Sequence, residues 1–504
     1  MPKKKRQGLV IKEDKDGKTK KAQKAKDAKD AKDGKTTEGS SAGAAGSSAP
    51  PAPWLHDYSA ELEAAVAWLL WPMTPEDFFR EYWEKKPLHL KRSAPKYYEG
   101  LFAKSDLDQE LRQGKVRYQE RLNLVRFEGK KIDLNKGPGI ASFQEVQEAW
   151  KAGATLQVLH PQQFHSAVRA TMAALERSFG ALFGANAYVT PAGQQGLAPH
   201  YDDVEVFMLQ LEGSKHWKLH RPPDDASCEF PLPRTASRDF QQEELGELLM
   251  ECLLQPGDLL YFPRGTVHSG IAEGGFSNHL TVSTYQGISW HSFLEKALAG
   301  ALDKAAGEDP EFRSGLPLNF SHIMGSWYEL GSESGPRESF RRKAKSLLTR
   351  LQEFIEMDEV CDEMAVDFMT QRLPPRPASK EPKEKQSSEA ITADTKVKWL
   401  DPSAVRPMLS TDPETSEATV LLFHSVGNDS GRHMCNAEAA EAEEVGCLRF
   451  EASTFLPALR ALHAAGMAAV RCGDLPLDEN DAIALCENLL EAGCLELCSE
   501  GRNG

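Results

Sequence analysis

From Glu61 onward the apolar residues fall into two kinds of pattern: short runs bounded by turn residues, and longer stretches in which they recur every three or four positions. Thr74 followed by Pro75, Glu76 and Asp77 predicts a helix start, with a capping hydroxyl, a proline at the first position and acids in the first turn; Phe78, Phe79, Tyr82 and Trp83 supply its apolar face. Short strands are predicted at Leu88–Leu90, Asn123–Phe127 and Thr155–Leu159, a helix over Phe164–Gly184, and a further extended run at Ala187–Thr190. Val204–Leu211 is rich in β-branched and apolar residues, and Glu212-Gly213 predicts a turn that returns the chain along Lys215–His220 as an antiparallel partner. Leu253–Phe262 and Asn278–Tyr285 complete the strands. Many short strands with Gly/Pro turns and no alternating βα units predict an α+β protein built on an antiparallel double-sheet jelly roll, or cupin barrel.

After Trp290 the period changes to that of a helix. Phe340, Ala344, Leu347, Leu348, Leu351 and Ile355 form a stripe at 3.6-residue spacing, the pattern of a helix packed on one side. Residues 374–395 are rich in Pro, Lys, Glu and Ser and read as a linker. The last segment, 396–504, offers a strand at Ala418–Phe423, an acidic loop around Glu438–Glu444, helices near Ser453–Ala465 and Asp478–Glu491, and a strand at Cys494–Leu497, which a winged-helix-like module would accommodate.

Length and charge refine this outline. A chain of 504 residues with 40% hydrophobic content implies two or three domains with real cores. Residues 1–35 carry 14 Lys and Arg against 6 Asp and Glu, so this basic tail precedes a body of net charge −23. The tail has no apolar periodicity and shades into a Gly/Ala/Ser/Pro-rich stretch, so residues 1–57 are expected to be a disordered tail and linker. Its cluster Lys3-Lys4-Lys5-Arg6 is a nuclear-localisation type of patch, and nucleus and nucleolus are the expected location. No apolar run approaches membrane-spanning length, so no membrane association is expected. Nine scattered cysteines without C-x-x-C pairs predict reduced thiols and no zinc ribbon. Residues 396–504 hold 8 Lys and Arg against 18 Asp and Glu, the wrong sign for phosphate, so direct DNA binding is not expected.

The candidate chemistry lies between Pro199 and His268. His200-x-Asp202 places two metal-ligand types on one face of an extended chain. The segment Gly257…Pro263-x-Gly265-x-x-His268 describes a strand running into a tight Pro/Gly turn that delivers a histidine. Two imidazoles and a carboxylate form the facial triad of non-haem iron(II) sites, with positions left open for a bidentate co-substrate and dioxygen. If that co-substrate is 2-oxoglutarate, its distal carboxylate needs a buried cation; Lys215, 13 residues after Asp202, is the candidate, with the hydroxyls of Tyr188 and Thr281 beside it.

The stretches PAGQQGLAPHYDDVEVFMLQLEGSKHWKLHRP (191–222), PGDLLYFPRGTVH (256–268) and HLTVSTYQ (279–286) resemble the JmjC ribosomal oxygenases, most nearly the Myc-induced nuclear antigen type, and the similarity runs from about Thr74 to the C-terminus. The resemblance implies a JmjC catalytic domain (58–290), a helical dimerisation region (291–373), a linker (374–395) and a winged-helix-like domain (396–504). It matches His200, Asp202 and His268 to iron ligands, Lys215, Tyr188 and Thr281 to the 2-oxoglutarate pocket, and Asn123, Gln157 and Ser283 to substrate contacts. It implies an iron(II)- and 2-oxoglutarate-dependent oxygenase that hydroxylates a ribosomal-protein histidine and serves ribosome biogenesis, with histone lysine demethylation on histone tails as the alternative activity and a non-catalytic nuclear scaffold as the rival class.

Overall fold

The structure, a computed structural model, describes residues 64–223, 230–233, 237–284, 287–327, 335–375, 390–411, 416–434 and 446–498. The basic tail with Lys3–Arg6, the acidic loop at Glu438–Glu444 and most of the linker 374–395 lie outside the described residues. Eleven strands form one continuous antiparallel sheet: β1 (Leu88–Leu90), β2 (Leu122–Phe127), β3 (Lys131–Asp133), β4 (Thr155–Leu159), β5 (Phe183–Thr190), β6 (His200–Tyr201), β7 (Glu205–His220), β8 (Arg238–Asp239), β9 (Leu248–Leu254), β10 (Leu259–Phe262) and β11 (Val267–Thr284). The main path runs β1-β10-β7-β11-β5-β4-β2-β3, while β9 extends from β7 and β6 and β8 extend from β11.

One sequence expectation changes here. Val204–Leu211 and Lys215–His220 do not form a hairpin; they are two halves of β7, which bends at Glu212-Gly213 and keeps its direction. Both halves pair with β11, Glu205–Glu212 against Asn278–Thr284 and Ser214–His220 against Val267–Glu273, with the register slipping between Glu273 and Asn278. Gly213 sits at φ 61 with its backbone so close to Phe276 that a Cβ would meet the Phe276 carbonyl oxygen at 1.8 Å. The glycine therefore supplies a bulge and a bend, which fold the sheet over on itself without reversing the strand.

The bend creates the double-sheet jelly roll. Val206 and Met208 from the first half of β7 pack in one interior cluster with Trp217 and Leu219 from the second half, Leu254 of β9, and Leu260 and Phe262 of β10. The alternate residues Phe207, Leu209, Leu259, Tyr261, Leu280 and Val282 face outward into a larger core with the helices Ala64–Leu70, Pro75–Glu81, Lys104–Arg112 and Ser166–Phe179. Because both faces are covered, these strands read as almost unbroken apolar runs. Thr74 caps Pro75–Glu81 as the sequence predicts, its Oγ1 accepting from the Asp77 amide at 3.2 Å. The helix expected over Phe164–Gly184 is shorter, Ser166–Phe179, because Gly180 in the left-handed region (φ 63) ends it before β5 begins.

Beyond the sheet, helices Trp290–Glu308, Pro336–Leu351 and Met357–Gln371 form the helical region. The apolar stripe does not run through to Ile355: the helix ends at Leu351, which is buried with Ala301 and Ala305, while Leu348 is 66% exposed. In the C-terminal segment, Lys396–Trp399 pairs with Val470–Arg471 and Leu495–Leu497, and Val405–Thr411, Ala418–His424 and Gly446–Glu451 form a second three-stranded sheet. Helices Ala452–Ala465 and Glu479–Glu491 pack on a core that includes Val397, Trp399, Leu459 and Leu485.

Candidate functional site

The interior of the folded sheet holds the metal-ligand candidates. His268 of β11 is the direct cross-strand partner of His200 of β6, and their ring centroids are 4.3 Å apart. The Pro263–Thr266 turn does what its sequence predicts: Gly265 occupies φ 79, its amide donates to the Asp202 carbonyl at 2.9 Å, and the chain re-enters the sheet at Val267. Thus the turn that delivers His268 also grips the segment that carries Asp202.

The tautomers follow from the backbone. His200 Nδ1 lies 2.8 Å from the Ala198 carbonyl and His268 Nδ1 lies 3.1 Å from the Thr266 carbonyl. A carbonyl only accepts, so each Nδ1 carries the proton and each Nε2 presents a lone pair. These Nε2 atoms stand 3.9 and 3.8 Å from Asp202 Oδ2. Burial, reinforced by the neighbouring His200, pushes His268 down to about 3, which keeps it in the neutral form that a metal requires. Among the described residues, His200, Asp202 and His268 bring three ligand atoms within 4.8 Å of one another. Two oriented imidazoles and one carboxylate fit an iron(II) ion, with the Nδ1 hydrogen bonds serving to aim the ligands.

Lys215, on the second half of β7, is only 4% exposed. Its Nζ is 3.5 Å from Thr190 Oγ1 and 4.7 Å from the centre of the Trp217 ring, and no carboxylate among the described residues pairs with it. Gly270 clears this space: a Cβ there would lie 2.7 Å from the Trp217 ring and 3.0 Å from Lys215 Cε. Burial lowers the ammonium to about 7. A buried cation without a counter-ion is costly, and a buried hydroxyl without a partner adds to the cost; Thr281 Oγ1, in the same cavity, has no hydrogen-bond partner among the described residues. A carboxylate between Lys215 and Thr281 would satisfy both, so the residues present fit the distal end of 2-oxoglutarate.

That cavity is narrow, about 30 Å³, and is lined by Tyr188, His200, Asp202, Lys215, His268 and Thr281 among others. An adjoining cavity of about 410 Å³ shares Tyr188, His200, Asp202 and Thr281 and adds Gln157, Asn186 and Ser283. Gln157 and Ser283 therefore face the metal-ligand candidates. Asn123 does not line either cavity; it lies one strand behind, with its Nδ2 donating to Gln157 Oε1 at 3.3 Å. His279 is the residue that sequence reasoning missed. It is buried in the cavity wall, stacked on Tyr188 at 5.1 Å and edge-on to Trp217 at 5.2 Å, and burial pushes it well below the usual imidazole range. The signal was present in HLTVST, because His279 has the same strand parity as Thr281 and Ser283.

Residues 157–292 match the model of the JmjC domain. The chain is 36% identical over 445 residues to a protein of Rattus norvegicus named Ribosomal oxygenase 1, covering 85% of this chain and 71% of the relative. It is 33% identical over 433 residues to a Dictyostelium discoideum protein named bifunctional lysine-specific demethylase and histidyl-hydroxylase NO66, covering 84% of this chain and 80% of that one. Among solved structures, one titled as the Escherichia coli ribosomal oxygenase YcfD in complex with cobalt and 2-oxoglutarate aligns at 17% identity with a TM-score of 0.43, over 85% of this chain and 99% of that one.

Proposed function

The chain belongs to the JmjC-domain ribosomal oxygenases, and we propose that it hydroxylates a histidine of a ribosomal protein in a reaction that consumes 2-oxoglutarate and dioxygen at iron(II). The observation that carries the reading is the juxtaposition, in one enclosed space, of three mutually close metal ligands and a buried lysine that has no counter-ion among the described residues. When bound, iron(II) with 2-oxoglutarate and dioxygen supplies the conversion of a C–H bond to C–OH, with succinate and carbon dioxide as co-products. His200, Asp202 and His268 would hold the metal. Lys215, Thr281 and Tyr188 would hold the co-substrate and the folded sheet would exclude water around it. A non-catalytic scaffold has no use for this constellation.

On the substrate side, Gln157, Asn186 and Ser283 line the larger cavity with amides and a hydroxyl, groups that orient a neutral imidazole by hydrogen bonds. Lysine demethylation of histone tails is the second reading. It is favoured by the name of the Dictyostelium relative and by the carboxylates of Asp203 and Asp239 on the same cavity wall, since a methylammonium is met by carboxylates or aromatic faces. The deciding experiment incubates the protein with iron(II), ascorbate and 2-oxoglutarate, using histidine-containing ribosomal peptides, their His→Ala versions and trimethyl-lysine histone peptides. Gain of one oxygen that disappears with the His→Ala change supports histidyl hydroxylation; formaldehyde release from the histone peptides at a comparable rate supports demethylation.

Assembly and location belong to the same proposal. Trp290, Leu294, Leu298 and Leu302 share one face of helix Trp290–Glu308 at four-residue spacing and are 42 to 80% exposed, which supports a homodimer through the helical region. The Lys3–Arg6 patch supports nuclear and nucleolar delivery to the site of ribosome biogenesis, and the net negative C-terminal segment favours protein over DNA as its partner. Among the described residues no helix is long and apolar enough to cross a membrane.

A further inference from the structure

A line of side chains crosses four strands in register: Asn123 of β2 faces Gln157 of β4, Gln157 faces Tyr188 of β5, and Tyr188 faces His279 of β11. Its first three members are joined by hydrogen bonds whose direction is fixed from outside. The backbone amide of Leu124 donates to Asn135 Oδ1 at 2.8 Å. A backbone N–H can only donate, so the Asn135 amide has one orientation, and its Nδ2 donates to Asn123 Oδ1 at 3.0 Å. Asn123 Nδ2 then donates to Gln157 Oε1 at 3.3 Å, and Gln157 Nε2 donates to the Tyr188 hydroxyl at 3.2 Å. A second amide converges on the same hydroxyl: Asn186, whose Oδ1 accepts from the His160 amide at 3.3 Å, directs its other end to Tyr188. The phenol oxygen therefore receives two donors, and burial together with nearby Asp202 keeps its proton on. The remaining role for that proton is to be donated into the cavity shared with Lys215 and Thr281.

We propose that Asn135 is a positioning residue for the co-substrate, acting through the polarised chain Asn135–Asn123–Gln157 to make the Tyr188 hydroxyl a hydrogen-bond donor to 2-oxoglutarate. This rests on the reading of Tyr188 as part of the 2-oxoglutarate pocket. It also gives Asn123 a role that needs no contact with substrate.

The test exploits the direction of the chain. Asn135→Asp keeps the acceptor for Leu124 but cannot donate, so Asn123 and Gln157 must both turn over, presenting Gln157 Oε1 to Tyr188 and drawing the phenol proton away from the cavity. Asn135→Ala removes the anchor without reversing anything. Asn135→Asp should raise KM for 2-oxoglutarate about three- to tenfold, and by more than Asn135→Ala does, with the melting temperature close to that of the parent chain. A merely structural role predicts the reverse order, because alanine leaves the Leu124 amide unpartnered whereas aspartate is nearly isosteric. Adding Asn135→Asp to Tyr188→Phe should cause no further change. A raised KM in Tyr188→Phe with none in Asn135→Asp, an alanine effect equal to or larger than the aspartate effect, or additivity in the double variant would overturn the relay. An unchanged KM in Tyr188→Phe would instead overturn the co-substrate role of Tyr188, and the relay with it.

Discussion

His268 and His200 stand opposite each other across β6 and β11, and each turns its Nδ1 onto a backbone carbonyl two residues before it, Thr266 and Ala198. The same local device thus aims both imidazoles at Asp202, from two strands that meet only at this rung. Replacing one ligand removes at most its own contact and leaves the backbone pairing of β6 with β11 in place.

His200→Ala, Asp202→Ala and His268→Ala are therefore each expected to lose iron(II) binding and 2-oxoglutarate turnover while keeping the fold. Metal content after dialysis, turnover and circular dichroism on the same samples check this. Stoichiometric metal together with full turnover in any of the three would remove that residue from the site. The isosteric Asp202→Asn should behave like alanine, since it keeps the Ser237 hydroxyl contact to Oδ1 (3.3 Å) but removes the charge.

Much of this site is legible in the sequence. H-x-D and the Pro/Gly turn before His268 are local signals, because a short segment fixes which way its side chains point, and the clustering of their ligand atoms within 4.8 Å is what the fold delivers. Glu212-Gly213 suits a reversal or a bulge equally well, and only the pairing of both halves of β7 with β11 decides between them. For His279 the strand parity it shares with Thr281 and Ser283 gives the face, but nothing in the sequence says that Lys215 will lie beside it. Asn135 has no motif at all, and its part emerges only from the register of β2, β4 and β5.

Lys215 makes a second prediction, with a pH signature. Lys215→Ala should raise KM for 2-oxoglutarate about ten- to a hundredfold, the size of a lost charge-assisted hydrogen bond. Burial holds the free ammonium at about 7, below its unfolded value, so the folded protein binds fewer protons than the unfolded chain between there and the ordinary lysine range. Over that window this group makes folding more favourable as pH rises. Co-substrate binding has the opposite sign, because the carboxylate requires the charged form. Affinity for 2-oxoglutarate should fall as pH rises above 7, at most about tenfold per pH unit, with proton uptake on binding. Calorimetry in buffers of different ionisation enthalpy measures both; a flat profile from pH 7 to 9 would mean that Lys215 is not the carboxylate's partner.

A third prediction separates interface from core in the helical region. Leu294 and Leu298 are 46% and 42% exposed, whereas Leu351 is buried against Ala301 and Ala305. Leu294→Glu with Leu298→Glu should yield monomers by light scattering with little change in melting temperature, because in a single chain those positions already face water. Leu351→Glu should instead destabilise the region, since it buries a charge without a partner. Dimers that persist in the Leu294/Leu298 variant would move the interface elsewhere.

The last prediction concerns how the C-terminal segment is held. His433 Nε2 lies 2.8 Å from Glu176 Oε1, both side chains are almost fully buried, and Gln163 Nε2 donates to the His433 carbonyl at 2.7 Å. Glu176 also accepts from the amides of Phe183 and Leu373, so one carboxylate ties helix Ser166–Phe179 to β5, to the end of the helical region and to the C-terminal segment. The next residue, Met434, fits against Gly184, where a Cβ would stand 3.3 Å from Met434 Cε and 3.5 Å from Ser283 Oγ. Met434 thus abuts the Gly184–Ser283 rung on the face from which Ser283 enters the larger cavity. His433→Ala leaves the buried carboxylate short of one of its hydrogen-bond partners, a loss of about 1.5–3 kcal/mol. Calorimetry should then show the C-terminal transition separating from that of the catalytic domain. Because Met434 meets β5 at Gly184, beside Ser283, whereas Lys215 meets the same strand at Thr190, further along it, KM for the peptide substrate should rise while KM for 2-oxoglutarate stays unchanged. A single unshifted transition, or equal changes in the two KM values, would show that the His433–Glu176 contact does not support the substrate wall.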